Sequence, residues 1–446
     1  MKTTQRIIAT LLFYCYTIPA VNAQQSSPSR QQSFVPARSD VNLYQINIRT
    51  FSKEGNLIGI LPRLDSIKNL GINVIYLMPI YPVGKVNAVN SPYCVKDYTA
   101  VNEEFGNLGD LKMLVDSIHS KKMAVILDWV PNHTSFDHQW IKNKSWYLQD
   151  STGKILSPPG TPWLDVAQLN FKNMDMRAEM ISSMKYWVTT ANIDGFRCDY
   201  ADGPPYDFWK QAVTALRAIP DHKLLLLAEG KRSDHYKAGF DYNFGFLFFE
   251  HLKDIYSKNR SIRSIDTLDR TDHKGTSKGQ QIVRYTTNHD VNGSDGTPEQ
   301  LFGGPRGAMA AFVVATYMNS IPMIYNGQEV GTPYKLVFPF TGQKIDWSLN
   351  PAITAEYKKI IAVRNSSPAL RNNHVKTYSS DDICAFTKQK GQEKVFVLSN
   401  LRNKTITYTT PKQVLHTKWT DTFSGTSIEL GETVTLAPYN YLVLKN

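Results

Sequence analysis

A chain of 446 residues is too long for one ordinary core and suits a large domain with a smaller companion. With 42% hydrophobic and 20% charged residues, it has neither the composition of a disordered chain nor that of a membrane bundle. The net charge of +11 is spread over scattered Lys and Arg rather than gathered in a block, so no nucleic-acid partner is expected.

The first residues read as an address, not as fold. Lys2 and Arg6 precede an apolar stretch over residues 7–21, and Val21-Asn22-Ala23 offers small residues to a signal peptidase. Residues 1–23 are therefore expected to be a secretory signal on an exported protein: periplasmic, cell-surface or secreted. No later run is long enough to cross a membrane, so no span is expected once the signal is cleaved. Residues 24–40, rich in Gln, Ser, Pro and Arg, predict a disordered leader. Cys94, Cys198 and Cys384 are an odd set with no zinc spacing and read as buried free thiols. Nothing in the sequence specifies an oligomeric state.

From Val41 a strand–helix rhythm begins. Strand-like runs fall at 43–48, 74–78, 124–127, 195–198, 224–228, 240–244, 282–286 and 322–325. Helical periodicity separates most of them: Leu57, Ile60, Leu64 and Ile67 before Gly71; Leu111, Leu114, Val115 and Ile118 after Asp110; then 176–188 and 308–318. Eight strands with crossover helices predict an α/β fold, a (β/α)8 TIM barrel over residues 41–371. Alternation alone also allows a doubly wound sheet, but no Gly-rich phosphate fingerprint follows the first strand. Residues 134–173, with Trp140, Trp146, Tyr147, Trp163 and a Ser-Pro-Pro-Gly breaker, are too long for a plain loop and predict a small inserted subdomain after strand 3. From 372 to 446 the period turns to two, predicting a C-terminal antiparallel β-sandwich domain.

Active residues of such a barrel sit where strands end. Here four runs end in carboxylates: Asp128 in Asp-Trp-Val-Pro-Asn-His, Asp199 after Gly-Phe-Arg-Cys, Glu229, and Asp290 in Asn-His-Asp. One such residue is usually a cap or a turn. Four on one rim repel one another, and that arrangement belongs to a metal site or to acid–base and nucleophilic chemistry.

These motifs, DWVPNH, GFRCDY, LLAEG and TTNHD in that order, resemble the signature regions of the α-amylase family, glycoside hydrolase family 13. PYCVKDY (92–98) resembles that family's tyrosine-bearing segment and PMIYNGQEVG (322–331) its strand-eight segment. The resemblance spans residues 41–446 and implies a retaining α-glycoside hydrolase. Its substrates would be α-1,4-glucans: starch, glycogen or maltooligosaccharides. It makes Asp199 the nucleophile, with Arg197 keeping it ionised, Glu229 the acid/base and Asp290 the third carboxylate. Retaining glycosidases need two such carboxyls about 5–5.5 Å apart. It also implies substrate contacts from Tyr93, His133, Asn288 and His289, and supporting roles for Asp128 and Asp97. Asn132 matches a position that often binds structural calcium, an ion not required for the mechanism.

The chain departs from the family in two places. Asp202-Gly203 stands where many members carry a Lys-His pair facing the leaving-group sugar, and Gln168-Leu169-Asn170 stands where many have Asp-Leu-Asn at the calcium site. The neighbouring activities (α-1,6-glucosidase, cyclomaltodextrinase or neopullulanase, transglycosylase) share the same catalytic set. An inactive sugar-binding relative would lack one or more of the three carboxylates, all of which are present here.

Overall fold

The computed structural model describes residues 34–277 and 279–446. The expected signal and residues 24–33 of the expected leader lie outside that range. Eight parallel strands close into a barrel in chain order: β1 (Leu43–Ile46), β2 (Val74–Leu77), β3 (Ala124–Trp129), β4 (Gly195–Cys198), β5 (Leu225–Ala228), β6 (Tyr242–Phe244), β7 (Gln281–Arg284) and β8 (Ile321–Tyr325). Every residue of these strands is buried. Both faces of the sheet are covered, the inner by the barrel core and the outer by helices, so the strands read as continuous apolar runs rather than alternating ones.

The helices are bounded by local chemistry. Asn107 caps Leu108–Ser120 with a reciprocal capping box to Asp110, and Asn173 caps Met174–Ala191 through the Met176 amide. The apolar run before β2 splits into a 3-10 segment, Ile58–Arg63, and an α-helix, Leu64–Asn69, because Pro62 cannot sit in an α-helical interior. Gly71, at φ +90°, ends it.

Part of the expected leader is ordered. Phe34 stacks on His119 at 4.4 Å, Val35 is buried, and Arg38 pairs with Asp241 at 2.6 Å beneath the barrel. The polar composition of residues 24–40 hid these two apolar anchors.

The excursion after β3 is built on a two-stranded ladder, His133–Ser135 against Val166–Gln168, with 3-10 turns at Gln139–Lys142 and Lys144–Trp146. Trp140 and Tyr147 are its core, while Trp163 stays half-exposed. After the helix Pro351–Ser366 comes the C-terminal domain. Its strands are β9 (Val375–Thr377), β10 (Ile383–Lys390), β11 (Glu393–Asn400), β12 (Ile406–Thr409), β13 (Lys418–Asp421), β14 (Ser427–Glu429), β15 (Thr433–Leu436) and β16 (Tyr441–Lys445). The main sheet runs β9-β10-β11-β16-β13-β14 and packs over the ladder β12-β15, enclosing a core of its own with Phe396, Leu398, Tyr408 and Trp419. Cys94, Cys198 and Cys384 are free and buried. Among the described residues, no helix is long and apolar enough to cross a membrane.

Candidate active site

Strand register sets the centre of the site. Asp128 on β3 lies directly opposite Arg197 on β4. Arg197 and Asp199 are two residues apart, so both face the interior and Cys198 packs outward. Glu229 follows β5, and its amide donates to the Cys198 carbonyl at 2.9 Å. Asp290 opens the short helix His289–Ser294 after β7.

Arg197 is fully buried and serves three carboxylates. Its Nη1 donates to Asp128 Oδ1 at 2.7 Å and to Asp199 Oδ1 at 3.0 Å, and its Nη2 pairs with Glu229 Oε1. Asp199 and Glu229 therefore face one another across a single guanidinium, 13% and 11% exposed. The other Glu229 oxygen accepts the Tyr200 amide at 2.8 Å. Burial and the facing Glu229 push the Asp199 carboxyl well up, with Arg197 opposing them. Arg197 acts on Asp199 in the expected sense, favouring its ionised form against burial and the facing carboxylates.

Asp128 is enclosed. Its Oδ2 accepts the hydroxyls of Tyr76 at 2.7 Å and Tyr93 at 3.0 Å. Burial raises its carboxyl, and Arg197 and Tyr76 pull it back. The Tyr93 hydroxyl also lies 2.6 Å from His289 Nε2, and the two rings stack at 5.4 Å. Gln45 Nε2 lies 2.8 Å from His289 Nδ1. With Gln45 donating there, the ring proton falls on Nε2, giving a relay from His289 through Tyr93 to Asp128. Burial lowers His289 to about 4, so the ring is neutral at ordinary pH. His133 is likewise lowered to about 4 by burial, and its ring lies 5.6 Å from Trp163. The Asp290 side chain is 61% exposed, at the mouth, 3.4 Å from His289.

The structure thus gathers Tyr93, Asp128, Arg197, Asp199, Glu229 and His289 into one connected cluster, with His133 and Asp290 on its rim. Two expected residues brace the backbone of their own segments. Asn288 Oδ1 accepts the amides of Asp290 and Val291 at 3.0 and 2.9 Å, an N-cap that aims Asp290. Asp97 caps its own turn through the Thr99 amide and hydroxyl, at 2.8 and 2.9 Å.

The expected calcium position does not fit the ion. The side-chain amides of Asn132 and Gln168 bond each other both ways, at 3.1 and 3.3 Å, and Gln168 Nε2 also donates to the Asn132 carbonyl at 3.0 Å. Calcium needs six to eight oxygens, carboxylates prominent among them. Here the oxygens are engaged by N–H donors, and the family's Asp is an amide. Among the described residues, no group of three His, Cys, Asp or Glu could hold a metal.

Sequence reading missed Tyr76, Gln45, Tyr200 and the pair Asp202–His235, whose Oδ1 and Nε2 lie 2.8 Å apart. Tyr76 and Gln45 carried a signal: each occupies an inward position near the end of a barrel strand, paired in register with the other.

A shared arginine beneath opposed carboxylates, at the open end of a parallel barrel, is the equipment of an enzyme that moves protons and forms a covalent bond to its substrate. The comparisons agree. The family model for the α-amylase catalytic domain matches residues 26–154 and 163–395, and that for the α-amylase SusG C-terminal domain matches 383–443. Alpha-amylase 2 of Dictyoglomus thermophilum is 27% identical over 415 residues, covering 84% of this chain and 69% of that protein. A cyclomaltodextrinase of Thermoanaerobacter pseudethanolicus is 24% identical, covering 78% of this chain and 63% of that one. The crystal structure of an α-amylase from Lactobacillus plantarum superimposes with a TM-score of 0.80 at 26% identity, covering 92% of this chain and 99% of that one. The chain belongs to the α-amylase family and is a glycoside hydrolase.

Proposed function

We propose that the enzyme is a retaining α-glycosidase cleaving α-1,4 bonds of starch, glycogen or maltooligosaccharides by double displacement. The observation that carries this reading is the opposition of Asp199 and Glu229 across Arg197. Asp199 attacks the anomeric carbon while Glu229 protonates the departing oxygen. A glycosyl ester on Asp199 results. Glu229, now a carboxylate, takes a proton from water, which releases the sugar with its original anomeric configuration. The reaction uses the state with the proton on Glu229 and none on Asp199. Asp290, aimed by Asn288, and the neutral His133 and His289 hydrogen-bond sugar hydroxyls, and Tyr93 offers its ring to the sugar's apolar face. Asp128, beneath Arg197, keeps the guanidinium in place.

The alanine-free test is isosteric. Asp199→Asn and Glu229→Gln each lower turnover on maltoheptaose by at least about 10³-fold while the fold persists. Early products resolved by NMR are α-anomers. Near-normal turnover in either variant, or β-anomeric early products, refutes the assignment. The apolar segment at 7–21 and the small residues at 21–23 support export through a cleaved signal, which N-terminal sequencing of the mature protein checks.

A further inference from the structure

Beyond the ends of β4 and β5 the two chains stay zipped together. In the ladder Cys198 pairs with Ala228. The Glu229 amide then donates to the Cys198 carbonyl at 2.9 Å, and the Ala201 amide donates to the Glu229 carbonyl at 2.8 Å. Between these bonds Tyr200 takes φ +40°, left-handed backbone that a bulky residue adopts only under constraint, and its amide donates to Glu229 Oε2 at 2.8 Å. The Trp209 indole holds the turn from behind, its Nε1 donating to the Ala201 carbonyl at 2.9 Å. The backbone that follows the nucleophile is therefore folded around the carboxyl of the acid/base.

That wrapping restrains Glu229 from the β4 side only. The chain leaving it passes at once through Gly230, which has no side chain to hold it and a backbone with wide conformational freedom. Asp202 supplies the missing restraint. Its Oδ2 accepts the Lys231 amide at 2.9 Å, and its Oδ1 accepts the Arg232 amide at 3.2 Å and faces His235 Nε2 at 2.8 Å. Arg232 returns the contact, its Nη1 donating to the carbonyls of Asp202 and Pro204, both at 3.1 Å. Burial works against charge on Asp202, yet the bonds from His235, Lys231 and Arg232 hold its carboxyl below the ordinary range, so both oxygens accept at neutral pH. The His235 side chain, 1% exposed, anchors the clamp in the interior.

Gly230 makes the clamp possible. A Cβ there would lie 2.5 Å from His235 Nε2 and 2.6 Å from Asp202 Oδ1, so any larger residue drives that pair apart. The bare glycine and the carboxylate beside it are two halves of one device. Its value lies in what Glu229 must do. The same carboxyl meets the departing oxygen and then a water, and moving a reacting group by about 1 Å costs up to about 10²-fold in rate.

We propose that Asp202 is the positioning residue of the acid/base: through the amides of Lys231 and Arg232 and through His235, in the room that Gly230 leaves, it holds the chain carrying Glu229 so that the carboxyl keeps its place against the departing oxygen. This rests on the double-displacement reading above. Asp202 stands at one of the chain's two departures from the family pattern, outside the catalytic set that the resemblance supplies. It touches neither sugar nor reacting atoms and acts through Glu229 alone. Releasing the clamp therefore weakens proton delivery and leaves the attack by Asp199 intact.

The test compares two glycosides of similar size that differ in how much the leaving group needs a proton. From its α-maltotrioside, 2-chloro-4-nitrophenol departs as the phenolate, whereas phenol departs from phenyl α-maltotrioside only as Glu229 protonates its oxygen. For each, kcat/KM reports the step that breaks the bond and forms the ester on Asp199, before water enters. Asp202→Asn keeps the size of the side chain and loses one acceptor. Gly230→Ala opens the clamp without altering Asp202. Each lowers kcat/KM on the phenyl glycoside by about 30-fold and on the activated glycoside by at most about threefold, against the roughly 10²–10⁴-fold that a placed general acid contributes. Glu229→Gln shows the same pattern in larger measure. Both rates are read on one preparation, so partial misfolding cancels in their ratio. Equal losses on the two glycosides, or no loss on either, overturn the positioning role. A wild-type enzyme that consumes neither glycoside overturns the glycosidase reading instead.

Discussion

Replacing Arg197 by methionine removes the site's central charge while keeping most of its volume. The side chain is fully buried and pairs with Asp128 at 2.7 Å, Asp199 at 3.0 Å and Glu229. The variant keeps three carboxylates and loses their shared cation. Removing one partner from a buried ion pair costs about 3–5 kcal/mol. An unfolding entropy of about 2.1 cal/mol/K per residue makes that a fall in Tm of about 3–5 °C at neutral pH. The loss has a pH signature. Without the guanidinium, Asp128 and Asp199 lose the charge that pulls their carboxyls down and rise further above their unfolded values than burial already lifts them. A raised carboxyl costs nothing below its unfolded pKa of about 4 and costs progressively more as pH climbs toward the folded value. The stability gap between wild type and variant therefore widens from pH 5 to 7, by about 1.4 kcal/mol per pH unit for each extra proton the folded variant keeps. Melting curves of both proteins at pH 5, 6, 7 and 8 measure this directly. A gap that stays flat across that range would refute the electrostatic account and reduce Arg197 to packing.

Two further outcomes follow from the same geometry. Prolonged treatment with a chelator leaves both melting temperature and rate on maltoheptaose unchanged, because Asn132 and Gln168 satisfy each other; a drop of several degrees, restored by calcium, would overturn that reading. His138 is buried, with Nδ1 accepting the Trp140 amide at 3.0 Å, and burial lowers it to about 4 from 6.5. Such a depressed group contributes stability that is present above pH 6.5 and lost as pH falls through about 4, so His138→Gln flattens the acid decline by about 1.4 kcal/mol per unit in that window. An unchanged slope in urea titrations between those pH values counts against it.

The barrel was readable because burial on both faces leaves each strand an unbroken apolar run, and the carboxylates because they stand where those runs stop. What escaped reading depends on contacts between distant segments. Asn288 stands in a motif read for sugar contact, and its capping of the helix that carries Asp290 appears only once that helix is seen. Tyr200 follows the nucleophile in sequence, yet its left-handed backbone goes with an amide bonded to Glu229, twenty-nine residues downstream. Gln168 reaches Asn132 only because a two-stranded ladder folds the excursion back on itself. The difference is physical. Bond cleavage needs a few charged groups at fixed strand ends, and the strands impose that order locally. Choice of substrate needs aromatic and amide side chains on long loops, whose positions arise from the whole fold. A family's chemistry can therefore be read from four short motifs, while the residues of its long loops, such as Trp163 and Tyr200, find their contacts only once those loops have met.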